Sequence, residues 1–188
     1  MKKILFALAF SAACAAQAAP IAYQVKRSIG TGSVVGSLTT DGTIGVLASS
    51  NILSWSFTLD DGIGAGPLQI TKGVNANLLL TGGLLSGDAD SLDFNFGAAG
   101  GFALFQSPNP GSGKDWWCLE GVNSGCAGMG VGETMNRTNG ARYTAYNSVV
   151  AIGVVETSQD VPEPGSLALV GLALAALGGA RARSAKRG

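Results

Sequence analysis

The chain has 188 residues, of which 46% are hydrophobic and only 13% charged, with 29 glycines and no histidine. That length suits one domain with accessory segments, and so apolar a composition excludes a disordered, solvating chain. Without histidine there is no Ser-His or Cys-His catalytic machinery and no imidazole metal ligand.

Lys2 and Lys3 precede an apolar run from Ile4 to Phe10, and the small-residue stretch SAACAAQAAP follows. A basic start, a short apolar core and an Ala-x-Ala close make a secretory signal peptide over residues 1–18. Ala16 and Ala18 supply the two small side chains that a signal peptidase accepts. The cut is placed after Ala18, because a cut one residue later would set Pro20 directly behind the scissile bond. Lipoprotein processing at Cys14 is the weaker alternative, since Ser11 stands where that signal wants a leucine-like residue.

Residues 19–160 form the cargo. Six basic side chains face eleven acidic ones there, a net charge of −5 that the basic ends of the chain conceal. An acidic domain without a basic stripe argues against nucleic acid as a partner.

In NILSWSFTLD (Asn51 to Asp60), Leu53, Trp55, Phe57 and Leu59 alternate with Ser54, Ser56 and Thr58. This period of two predicts a half-buried strand. Leu68 with Ile70 repeats it briefly, and Ser91 to Gly97 repeats it with Leu92, Phe94 and Phe96. Further strands are expected around Phe102 to Phe105 and Tyr143 to Tyr146. Ser148 to Glu156 is apolar at nearly every position, which predicts a central strand covered on both faces. Asp41-Gly42, Asp61-Gly62, Gly82-Gly83, Gly100-Gly101 and Asn139-Gly140 punctuate the strands as turns. Ser107 to Gly113 reads as a surface loop and Gly121 to Gly140 as a longer, irregular one. The 24 glycines of this part are dispersed, and no fixed repeat links them. The expected fold is all-β: a single antiparallel β-sandwich or jelly-roll-like domain, flanked by the signal helix and a C-terminal transmembrane helix.

Candidate chemistry in the cargo is sparse. Asp88, Asp90 and Asp93 resemble half of a calcium loop, but there is one copy and no bidentate glutamate at EF-hand spacing; turn carboxylates are the simpler reading. Trp116 and Trp117 point to opposite faces of any strand that holds them, so one is free to offer a flat face for stacking on a sugar ring; the alternative is that one enters the core and the other packs under the loop closed by Cys118 and Cys126. Cys118 and Cys126, with seven residues between them, most simply form a disulfide in an exported protein. A metal pair would lack histidine partners and a redox pair the Cys-x-x-Cys spacing. Asp60 with Asp61, or Asp115 with Glu120, would serve as a glycosidase pair only if brought together in a cleft. No activity and no cofactor are expected; the chain is read as a non-enzyme.

The C-terminus reads VPEPGSLALVGLALAALGGARARSAKRG. Val161, Pro162, Glu163 and Pro164 make a stiff break that neither a helix nor a central strand continues. Ser166 to Ala180 is an uncharged run of 15 residues, somewhat short against the ~20 that a spanning helix needs. Arg181, Arg183, Lys186 and Arg187 form a basic stop that stays on the cytoplasmic side.

Box, apolar run and basic end, in this order, resemble the PEP-CTERM sorting signal of Gram-negative bacteria, with Pro162, Glu163 and Pro164 matching its box residue for residue. The basic end, interrupted by Ala182, Ser184 and Ala185, is looser than the densest examples of the family. The resemblance spans residues 161–188 and implies an inner-membrane intermediate processed by an exosortase, then export to the cell surface or medium in an exopolysaccharide-producing, biofilm-forming cell. A plain membrane anchor would share the helix and basic end but has no use for the box. The runs TDGTIGVL, ILSWSFTL, GFALFQSPNPGSG and WWCLEG are also similar to an ectodomain carried by other proteins with this tail, a family with no established activity to transfer. The expected role is therefore structural or interactive at the cell surface or in the extracellular matrix. Glycan binding through Trp116 or Trp117, with exopolysaccharide as ligand, is the alternative, and hydrolysis a third.

Overall fold

A computed structural model describes residues 18–155 apart from positions 65 and 139. Residues 1–17, most of the expected signal peptide, and residues 156–188, with Val161 to Pro164 and the expected C-terminal transmembrane helix, lie outside the described residues. Among the described residues no helix is long and apolar enough to cross a membrane.

The described chain is all-β. Thirteen strands follow one another as β1 (Ile21–Ile29), β2 (Gly32–Thr40), β3 (Gly45–Val46), β4 (Ile52–Asp60), β5 (Leu68–Thr71), β6 (Asn77–Thr81) and β7 (Leu85–Gly87), then β8 (Ser91–Asn95), β9 (Phe102–Ser107), β10 (Asp115–Glu120), β11 (Gly132–Arg137), β12 (Gly140–Ala145) and β13 (Val149–Val155). They make two antiparallel sheets, one of eight strands in the order β3-β7-β8-β13-β1-β2-β4-β5 and one of five in the order β12-β11-β10-β9-β6.

Alternation decides which side chains enter the core. Trp55, Phe57 and Leu59 of β4 are buried, as are Phe105 of β9 and Trp117 of β10 on the other sheet. Their rings meet across the gap: Phe57 lies 5.0 Å from both Phe105 and Trp117 in edge-to-face contact, and Phe105 stacks on Trp117 at 5.1 Å. Such pairs add roughly 0.5–1.5 kcal/mol each beyond the burial of the rings. Gly36 on β2 allows the close approach, since a Cβ there would collide with the Ser56 carbonyl and crowd Phe57. Gly82 and Gly83 both take positive φ (74° and 64°) in the turn between β6 and β7, a backbone that a side chain would strain.

Three expectations change. Leu53 is 51% exposed and Ile52 is buried in its place, because the register between β2 and β4 shifts beside Thr39 and Thr40. The last strand is central, between β8 and β1, yet it is covered on one face only: Val149 and Val154 are 58% and 57% exposed. The stretch Gly121 to Gly140 is not one loop, for it contains β11, nearly all of it buried.

β11 buries its charged residues because each finds a partner. Glu133 accepts two hydrogen bonds from Arg27 of β1, on the opposite sheet, at 3.0 Å (Nε to Oε1) and 2.9 Å (Nη2 to Oε2). Arg27 also donates to Tyr146 Oη (2.9 Å) and to the Ala151 carbonyl (3.0 Å). Arg137 donates to the carbonyls of Leu59 and Gly66 and pairs with Asp115 at 2.9 Å.

Candidate functional site

The outer face of the five-stranded sheet gathers four of the candidate residues: Trp116, Cys118, Glu120 and, in the attached loop, Cys126. On β10, Trp117 points into the core, so Trp116, Cys118 and Glu120 point outward. Register places Asn77 of β6, Gln106 of β9, Trp116 and Asn136 of β11 side by side in one row. The three amides hold the loop that follows β9. Gln106 donates to the Gly113 carbonyl (2.7 Å) and accepts from the Gly111 N–H; Asn136 donates to the Lys114 carbonyl; Asn77 donates to Asn109 Oδ1 (2.6 Å). Trp116, half-buried, lies on the sheet beside this pinned loop.

The next row runs Leu79, Leu104, Cys118, Thr134 and Tyr143. Cys118 and Cys126 are disulfide-bonded with their Cα atoms 6.3 Å apart, and the loop they close starts from this row. Glu120 Oε2 accepts the Ala127 N–H at 3.1 Å and Tyr143 Oη donates to the Val131 carbonyl at 2.6 Å, which tie the loop at two further points. The sulfurs of Cys118 and Cys126 and a carboxylate oxygen of Glu120 lie within 4.8 Å of one another, the one such group among the described residues. With both sulfurs committed to each other, a single carboxylate remains, too few donors to hold a metal ion.

The other candidates are not brought together. Asp88 Oδ1 accepts the N–H groups of Asp90 (2.7 Å) and Ser91 (2.6 Å), and those bonds keep its carboxyl below the usual carboxylate range. Ser91 Oγ donates to Asp93 Oδ2 at 3.0 Å. Asp88 is thus a turn cap, joined to Asp93 through the Ser91 hydroxyl (3.3 Å to Asp88 Oδ2), and the three aspartates form no metal-ligating group. Asp60 and Asp61 each accept a backbone N–H two residues on, from Gly62 and Ile63. Asp115 and Glu120 stand at the two ends of β10, roughly 17 Å apart at ~3.3 Å per residue, beyond the ~10 Å limit for a glycosidase pair.

The structure also contains a charged group that sequence reading missed. Burial pushes the Glu133 carboxyl up, and the Arg27 hydrogen bonds and charge pull it back without cancelling the rise. The indole N–H of Trp117 also favours the carboxylate, though it makes no hydrogen bond of normal geometry. Burial works against the Arg27 charge, but the bonds and charge of Glu133 outweigh it and raise the guanidinium further. The pair joins the two sheets, and nothing in GETMNR marks its glutamate as buried.

Residues 160–184 match the PEP-CTERM protein-sorting motif. The match begins one residue before Val161, includes the box, the apolar run and the first two arginines, and stops short of Lys186 and Arg187. It marks a secreted protein sorted through the membrane and implies processing by an exosortase. No curated protein and no solved structure matches the chain.

Proposed function

We propose that this chain is a structural or interaction protein of the cell surface or extracellular matrix, held as an inner-membrane intermediate until an exosortase removes the C-terminal tail. The observation that carries the reading is the sorting motif at residues 160–184, placed directly behind a disulfide-closed β domain. A β-sandwich built around the Phe57–Phe105–Trp117 contact, with its edge loops tied by the disulfide and by side-chain amides, suits a protein that must persist outside the cell without chaperones. Binding rather than catalysis is the proposed role, because its carboxylates serve turns and ion pairs. Cell fractionation of the native host tests this: the domain should appear in surface-shed or medium fractions. Retention of all of it in the inner membrane would contradict the proposal.

Glycan binding is the second reading, and Trp116 favours it. This side chain is half-exposed on a sheet face between Gln106 and Asn136, whereas Trp117 is fully buried and offers no stacking face. Retention on a column of the host exopolysaccharide, lost on Trp116→Ala, would support it; equal elution of both proteins would dismiss it.

A further inference from the structure

Glu120 packs against the disulfide. Residues two apart on a strand share a face, so Cys118 and Glu120 project from β10 on the same side. Glu120 Oε2 is 4.0 Å from Cys118 Sγ, and both residues are buried, with 3% and 0% exposure. The N–H of Ala127, next to Cys126 in the loop, donates to the same Oε2 at 3.1 Å and fixes the carboxylate beside the sulfur. The ion pairs among the described residues join Arg27 to Glu133 and Arg137 to Asp115, and neither includes Glu120. The two sulfurs differ in access: Cys118 is closed off from solvent, whereas Cys126 is only half-buried.

This asymmetry sets the course of reduction. A thiolate attacks the reachable Cys126 Sγ; a new bond joins the two sulfurs, the Sγ–Sγ bond breaks, and its electron pair leaves on Cys118 Sγ. A second thiol of the same reductant then displaces Cys126, so a dithiol is oxidised to its own disulfide while both cysteines are reduced. Such exchange slows when the leaving sulfur is a poor thiolate. Cys118 would take up its negative charge in a buried site beside a carboxylate oxygen, and burial and like charge both oppose a thiolate there. A like charge at about 4 Å slows the step roughly fivefold even at the dielectric of water, and more where water is excluded. We propose that Glu120 guards the disulfide electrostatically against thiol reductants, which makes the Cys118–Cys126 bond a permanent tie of the loop and not a redox switch. The guard rests on the disulfide and is independent of the sorting and glycan readings above.

The test follows reduction by dithiothreitol of the protein purified from its own host, read by timed alkylation and intact mass. Glu120→Gln removes the charge but keeps an oxygen for the Ala127 N–H. Glu120→Asp keeps the charge on a shorter side chain. Glu120→Gln should be reduced at least about fivefold faster than wild type, while its loop resists limited proteolysis as wild type does. Glu120→Asp should be reduced at a rate closer to wild type than to Glu120→Gln. An unchanged rate for Glu120→Gln would overturn the guard. So would equal acceleration of both variants, or faster cleavage of the Glu120→Gln loop, since either would trace the effect to loosened packing and not to charge.

Discussion

Arg27 on β1 and Glu133 on β11 form a forked ion pair between the two sheets, with Nη2 and Oε2 2.9 Å apart and the glutamate fully buried. Tyr146 completes the group: its hydroxyl accepts from Arg27, and its ring lies 5.5 Å from the guanidinium carbon. Removing one partner of such a pair leaves the other charge buried and unpaired. Arg27→Met should therefore cost about 3–5 kcal/mol. Replacing both residues by apolar ones of similar volume should cost much less. A double-mutant cycle by guanidinium titration measures this, and additive single-mutant losses would contradict the coupling.

The two tryptophans should separate cleanly. Trp117 sits among Phe57 and Phe105, so Trp117→Ala should cost about 3–5 kcal/mol of stability. Trp116→Ala, on the outer face, should cost about 1 kcal/mol or less. Thermal unfolding of the two variants reads the difference; a larger loss at Trp116 would overturn the assignment of faces.

Acid stability follows from the carboxylates. Hydrogen bonds from Asn51 and Thr43 hold Asp41 below the usual range, and backbone N–H groups do the same for Asp88. A depressed folded value stabilises the fold above the unfolded carboxylate range and loses that effect as pH falls through the folded value. Glu133, raised by burial, works the other way: its stabilisation is complete below the unfolded range and is lost as pH rises through its folded value. Urea titrations between about pH 3 and pH 7 should show a smaller acid loss for Asp41→Asn and Asp88→Asn than for wild type. Identical acid limbs would contradict the role of these caps.

The disulfide closes a short loop, with seven residues between Cys118 and Cys126 in sequence. Cys118→Ala/Cys126→Ala should lose about 2–3 kcal/mol. The loop should also become the first site of limited proteolysis, with the aromatic core intact because Cys118 lies on the face of β10 opposite Trp117. Unchanged proteolysis would show that the Glu120 and Tyr143 hydrogen bonds hold the loop unaided.

The strands most legible in the sequence are those whose core face is apolar, such as Trp55, Phe57 and Leu59 on β4 or Leu92 and Phe94 on β8. β11 escaped because its inward positions are Glu133, Met135 and Arg137, and the partners that make two of them buriable lie on distant strands. β1 escaped similarly, since Lys26-Arg27 interrupts its apolar pattern although Arg27 points inward. Turns at glycine pairs were legible because positive φ is a local requirement. The open face of β13 was not, because nothing in SVVAIGVVE tells whether a second layer covers it. Of the candidate site, the Cys118–Cys126 pairing could be read from spacing and compartment, while the amide row around Trp116 depends on register between four strands.

The central claim is that the chain is exported and trimmed at both ends. Intact mass spectrometry of the protein purified from its own host tests it most directly. The mass should correspond to a chain that begins at Ala19 and has lost everything beyond the Pro162–Pro164 box. A mass that retains the sequence to Gly188 would contradict exosortase processing and leave the C-terminal segment as a plain membrane anchor.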